Sequence, residues 1–145
     1  VDGEPQTGEN PEPLDYLRQR EPRVYDLRLE VVLQPAAGEP EVIARSNARH
    51  LYWSFEQQLA HHTVNGCNTR PGDLLASGTI SGPEPGQYGS MLELTWRGSQ
   101  PLRLADGQER KFLQDGDTVT LRGWGEKDGV RIGLGEVTGT LLPAR

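Results

Sequence analysis

The sequence predicts a β-rich α+β domain with one substantial helix, and three observations carry that expectation. Eighteen glycines and eleven prolines in 145 residues call for many turns and short strands rather than a helical bundle. Asp-Gly, the strongest short hairpin signal, occurs at 106–107, 115–116 and 128–129. A single stretch, "SNARHLYWSFEQQLAHHTVNG", spaces its apolar residues at three- and four-residue steps.

In chain order, residues 1–23 are polar and hold Pro5, Pro11, Pro13 and Pro22, the composition of an extended arm or linker. Residues 24–145 form the domain. "VYDLRLEVVLQP" alternates, with Tyr25, Leu27, Leu29, Val31 and Leu33 on one face and Asp26, Arg28, Glu30 and Gln34 on the other; this is the mark of a half-buried strand. "AAGEP" turns and "EVIARS" returns as a second strand. The helix is expected at about 47–65, capped by Ser46 or Asn47. Ala48, Leu51, Tyr52, Phe55 and Leu59 lie on its apolar face. Gly66 supplies the left-handed residue that ends it. Beyond it, "GDLLASGTISG" and "SMLELTW" read as strands, and "TVTLRGW" and "VRIGLGEV" as a hairpin. About six or seven short strands are expected after the helix.

Bulk properties exclude several functions. Net charge is -6 with scattered basic residues, so nucleic acid and anionic membrane, which need a concentrated positive face, are not expected partners. Cys67 is the sole cysteine, which rules out an internal disulfide and fits a reducing, cytoplasmic location. No apolar run approaches the ~20 residues that span a bilayer, and no signal peptide opens the chain. The first residue is Val1 and the sole methionine is Met91, which reads as a piece of a longer chain.

Metal and nucleophile signals are weak. His61 and His62 are adjacent on the helix and point about 100° apart, so they cannot share an ion. His62 falls near the apolar face, and both read as core or helix-end histidines. Cys67 reads as a buried, inert thiol, and acts as a nucleophile only if the chain doubles back after Gly66 to meet a histidine. "GLGEVTG" opens no helix and so is no dinucleotide cradle. Asp106, Asp115, Asp117 and Asp128 fall in separate turns, which explains them without calcium.

Glu93 is the exception. In "SMLELTW" a strand would put Leu92, Leu94 and Trp96 on one side and Met91, Glu93 and Thr95 on the other. On a solvated face Glu93 is an ordinary charge. On a shielded face it needs a partner, and the sequence offers none nearby. The preceding "SGPEPGQYGS" is rich in glycine, which lets backbone approach a ligand or another backbone closely.

The run "QQLAHHTVNGCNTRPGDLLASGTISGPEPGQYGSMLELTW" resembles the C-terminal part of the catalytic domain in the fumarylacetoacetate hydrolase family. The similarity extends through "KFLQDGDTVTLRGWGEKDGVRIGLGEVTGTLLPA" and back to "YLRQREPRVYDLRLEVVL". "RPGDLLASGT" is similar to the signature of the wider superfamily, and "SGPEP" with "SMLEL" to the branch that cleaves fumarylacetoacetate itself. The resemblance implies the mixed β-sandwich roll of that family, incomplete here. It implies a homodimeric β-diketone hydrolase of tyrosine and phenylalanine degradation that uses calcium or magnesium to make fumarate and acetoacetate. Glu93 matches the glutamate that pairs with a catalytic histidine, and Thr79 matches a threonine that contacts substrate. The histidine, the carboxylate metal ligands and the stabilising arginine, glutamine and lysine lie upstream of the matching region in the family. His50, His61 and His62 do not match that histidine, and no metal ligand is assigned to this chain. The upstream part of the enzyme is therefore an expected partner, and this chain alone is expected to be inactive. A related acylpyruvate or diketo-acid hydrolase, or a non-catalytic binding or assembly module of the same fold, are the alternatives.

Overall fold

The computed structural model describes residues 4–5, 12–20 and 23–144. Much of the expected arm (1–3, 6–11 and 21–22) lies outside the described residues. β1 (Glu4–Pro5) pairs antiparallel with β2 (Arg23–Val24). β3 (Leu27–Gln34) and β4 (Glu41–Asn47) form the expected first hairpin. A 3-10 turn at Ala48–His50 leads to α1 (Phe55–Thr63). Further on come the short α2 (Met91–Leu94), β5 (Leu102–Arg103) with β6 (Glu109–Arg110), and the long hairpin β7 (Thr118–Lys127) and β8 (Val130–Thr140). Antiparallel strands dominate, with one main helix among the described residues. This is the α+β, mostly β class that was expected, without a closed barrel.

The main sheet runs β4-β3-β7-β8. Its register sets two adjacent rows across all four strands. Ala44, Val31, Leu121 and Val137 form an apolar row; Arg45, Glu30, Arg122 and Glu136 form a charged one. Successive residues of a strand face opposite ways, so the rows lie on opposite faces. The charged row alternates in sign and is linked, with Arg45 Nε 3.1 Å and Arg122 Nη1 3.6 Å from Glu30, and Arg122 Nε 2.6 Å from Glu136. Along the apolar row exposure climbs from 4% at Ala44 to 48% at Leu121 and 69% at Val137. The covered core therefore sits at the β4 side, with Leu33, Ala48 and Leu17, and the face opens toward β8. Asp128 and Gly129, at φ 51° and 77°, make the expected tight turn of the last hairpin, since positive φ at both central residues matches strand twist.

Three expectations are corrected. The helix is shorter than 47–65, because Ser54 and Gln57 form a capping box. The Ser54 N–H donates to Gln57 Oε1 (2.9 Å) and the Gln57 N–H to Ser54 Oγ (3.2 Å), so two otherwise orphaned N–H groups are satisfied at Ser54. Asn47 caps only the preceding 3-10 turn. "GDLLASGTISG" is not a strand, and "SMLELTW" holds α2 instead of one, which leaves four strands after α1. The box also ties down the described part of the N-terminal segment. Ser54 Oγ donates to Gln19 Oε1 (3.0 Å) and Gln57 Nε2 to the Leu17 carbonyl (2.9 Å).

The fourth expectation, that Asp117 is merely a turn residue, misses its main contact. Asp117 is fully buried and takes a bidentate pair from Arg110, at 2.9 Å from Nε and 3.0 Å from Nη2. It also accepts the Gln114 N–H at 2.9 Å. Burial alone would push the Asp117 carboxyl up, but the bonds from Arg110 and Gln114 outweigh it and hold it below the ordinary carboxylate range. The hydrogen bonds to Asp117 raise Arg110. Removing one partner strands the other charge in the interior. Asp117→Ala should lower stability to urea by about 3–5 kcal/mol. The pair's contribution should be full above about pH 4 and fade as acid protonates the folded carboxyl. An acid-side stability profile unchanged in Asp117→Asn would show that the pair is idle.

Candidate functional site

The segment from Thr79 to Arg97 is built by glycine and serine. Gly82 N–H donates to the Gln87 carbonyl (2.9 Å) and Gln87 N–H to that of Glu84 (3.0 Å), closing a turn around the two prolines. The turn docks on β4, where the Arg45 N–H donates to the Gly86 carbonyl at 2.8 Å. A Cβ on Gly82 would collide with Gln87 Oε1 and lie 2.9 Å from His50 Nε2. One on Gly89 would lie 2.7 Å from both the Ile80 carbonyl oxygen and Thr79 Cγ2. These are the close backbone approaches that the glycine-rich run predicts. His50 is lowered from its ordinary value by partial burial and then by the Arg49 charge.

Glu93 lies in α2, not in a buried strand, and it is exposed. The local cause is Ser-x-x-Glu, a capping signature that strand alternation obscured. The Glu93 N–H donates to Ser90 Oγ at 3.3 Å. Two hydroxyls converge on one carboxylate oxygen, Ser90 Oγ at 2.7 Å and Ser81 Oγ at 2.9 Å from Oε2. Sequence reasoning missed Ser90 because alternation hid the cap, and Ser81 because it lies twelve residues away. Ser81 Oγ in turn accepts the Gly89 N–H at 3.0 Å. Thr79 is exposed, with its methyl against Gly89 and its hydroxyl unbonded among the described residues. Thr79 and Glu93 are thus joined through Gly89 and Ser81.

Beyond α2 the backbone is strained. Trp96 and Arg97 hold φ of 49° and 58° before Gly98 at 79°, and consecutive left-handed non-glycine residues cost free energy. Buried Thr95 anchors the turn. Its Oγ1 lies 2.7 Å from the Met91 carbonyl and 2.9 Å from that of Lys111, and it accepts the Gly98 N–H at 3.0 Å. The result is a cavity of about 530 Å³ lined by Tyr88, Leu92, Glu93, Trp96 and Arg97. A carboxylate, a cation and aromatic walls face one space, an arrangement able to take a polar, anionic small molecule.

The rival signals lie elsewhere. A larger cavity, about 650 Å³, sits beside α1 and includes Tyr25, Phe55, His61 and His62. His61 Nδ1 is 2.9 Å from Tyr16 Oη and its ring stacks on that tyrosine. His62 and Cys67 are exposed rather than buried, because α1 stops at Thr63 and Gly66 (φ 85°) turns the chain back. This brings Cys67 Sγ within 3.5 Å of His62 Nε2. Among the described residues no three His, Cys, Asp or Glu side chains converge on a metal position, so these residues do not fit a calcium or magnesium centre. No described helix is long and apolar enough to cross a membrane.

Known proteins match closely. Residues 9–142 match the family model described as "Fumarylacetoacetate (FAA) hydrolase C-terminal". Human fumarylacetoacetase is 52% identical over 141 residues, 97% of this chain and 34% of that protein. The Arabidopsis thaliana protein is 53% identical over 137 residues, 94% and 32%. The Aspergillus fumigatus protein is 55% identical over 132 residues, 90% and 30%. The chain spans about a third of the length of these curated relatives. Gly89→Ala should push residues 79–81 away from the Ser81–Glu93 contact and cost about 1–3 kcal/mol, read by urea unfolding; a variant as stable as the parent would remove the close approach from the account.

Proposed function

The chain belongs to the fumarylacetoacetate hydrolase family, and from that premise we propose that it is the C-terminal catalytic portion of an enzyme that hydrolyses fumarylacetoacetate to fumarate and acetoacetate in tyrosine and phenylalanine degradation. The observation that carries the reading is Glu93, a carboxylate beside a cavity with one oxygen held by two serines and the other without a partner among the described residues. Glu93 accepts the N–H of an imidazole from outside this chain, fixing its tautomer and raising its basicity. The imidazole takes a proton from water, whose oxygen attacks the substrate carbonyl. As the carbon–carbon bond breaks, its electron pair leaves on the acetoacetate carbon, which takes the proton back from the imidazolium while fumarate is released. The Thr79 hydroxyl donates to substrate.

The divalent ion, calcium or magnesium, belongs to the intact enzyme and is held outside this chain, so none of these steps is assigned to it. Partners are the upstream polypeptide and, for the intact enzyme, a second copy. The rise in exposure along the apolar row, from Ala44 to Val137, supports a missing cover on the β8 side, since a sheet's apolar face must be buried against something. The exposed single thiol of Cys67 suits a reducing cytoplasm.

A second reading, a binding or assembly module without chemistry, is favoured by the Ser90–Glu93 cap, which explains the glutamate structurally. Glu93→Gln separates the two, because glutamine keeps the backbone N–H that bonds Ser90 Oγ and an amide oxygen that can accept the serine hydroxyls but carries no charge. The assay is release of fumarate and acetoacetate with calcium or magnesium, by this chain alone and by a chimera in which it replaces the matching third of the Arabidopsis relative. Activity is expected in the chimera only, falling at least about a hundredfold in Glu93→Gln. A chimera that folds without activity, or one indifferent to Glu93→Gln, supports the module instead.

A further inference from the structure

We propose that Ser81 and Ser90 are positioning residues that commit Glu93 to a single oxygen, filling Oε2 and reserving Oε1 for the incoming imidazole. This rests on the reading of Glu93 above and specifies how its carboxylate is aimed. An ionised carboxylate oxygen offers two lone-pair directions. Ser90 Oγ at 2.7 Å and Ser81 Oγ at 2.9 Å take both on Oε2, as charge-assisted hydrogen bonds. Oε1 accepts no hydrogen bond among the described residues, so the next donor to arrive has one oxygen to choose.

The two hydroxyls are themselves aimed. Each has one proton to donate and lone pairs to accept with. Ser81 Oγ accepts the Gly89 N–H (3.0 Å) and Ser90 Oγ the Glu93 N–H (3.3 Å), which turns both hydroxyl protons toward the carboxylate. Without them an exposed glutamate is free to rotate about three side-chain bonds, and ordering it costs free energy at each encounter. Serine is also suited in charge. An arginine or lysine in its place would neutralise the carboxylate and weaken its pull on an imidazole, whereas neutral hydroxyls hold the group and leave its charge intact.

The test uses the chimera with the Arabidopsis relative. Ser81→Ala removes one donor and leaves the helix cap. It should lower kcat about tenfold or more, since small misplacement of a reacting group carries costs of that order, with KM within about twofold. Ser81→Thr keeps the hydroxyl and should recover most of kcat. Ser90→Asp keeps an N-cap acceptor but cannot donate, and should lose kcat while stability to urea stays near that of the parent. If Ser81→Ala and Ser90→Asp keep parental kcat while Glu93→Gln is inactive, the clamp is idle and Glu93's pairing role stands alone. If Ser81→Thr fails to recover what Ser81→Ala loses, the effect is one of packing and the proposal falls. A parent chimera without activity, or one unmoved by Glu93→Gln, overturns the pairing role and this inference with it.

Discussion

The buried Arg110–Asp117 pair is the interaction on which the rest of the arrangement depends. It joins the end of β6 to the turn that starts β7, and the main chain beside it is equally tied. The Leu141 N–H donates to the Asp117 carbonyl at 2.9 Å and the Gly116 N–H to the Leu141 carbonyl at 2.8 Å. The small β5–β6 hairpin is thereby fixed against the end of the main sheet. Next to Arg110, the Lys111 carbonyl lies 2.9 Å from the Thr95 hydroxyl. Thr95 closes α2, and α2 carries Glu93. A line of polar contacts, buried at Arg110, Asp117 and Thr95, thus runs from the start of β7 to α2. Such a pair adds little net stability over a hydrophobic equivalent; what it supplies here is a unique position, since its fork geometry is satisfied in one arrangement.

The main sheet shows the opposite economy. Its charged face is self-sufficient, because the row from Arg45 to Glu136 pairs each charge with a neighbour of opposite sign. Its apolar face is not. Covered at Ala44 and open at Val137, it has no covering layer on the β8 side among the described residues. The 11-residue β8 is also an edge strand, exposed along its whole length. Exposed apolar edges invite pairing with other chains, which agrees with a chain spanning a third of its relatives' length.

Glu93 has two structural settings at once. It is the fourth residue of a Ser-x-x-Glu cap and also a carboxylate aimed at a cavity. The two are compatible because the cap uses its backbone N–H and one oxygen, and leaves the other oxygen. The strain at Trp96 and Arg97 belongs to the same local design. A left-handed turn directly after a one-turn helix brings both side chains round to the cavity that Glu93 lines, and buried Thr95 holds the turn in place.

By itself the sequence determined the elements whose signals are local and repeated. The alternation from Leu27 to Leu33, the return at 41–47 and the Asp128-Gly129 hairpin all stand. So does the left-handed turn at Gly66, just past the end of α1 at Thr63. Where two local signals competed, the sequence reading went to the wrong one. Alternation in "SMLELTW" lost to a serine cap, and the apolar spacing of 47–65 lost to the capping box at Ser54, because hydrogen-bonding otherwise orphaned N–H groups outweighs a pattern with no second layer to bury it. Only the tertiary structure decided that Ser81 meets Glu93, that Asp117 is the buried partner of Arg110, and that Cys67 and His62 are exposed neighbours. Each depends on segments brought together by chain reversals at glycines, and the direction of a reversal is set by packing that no local pattern records.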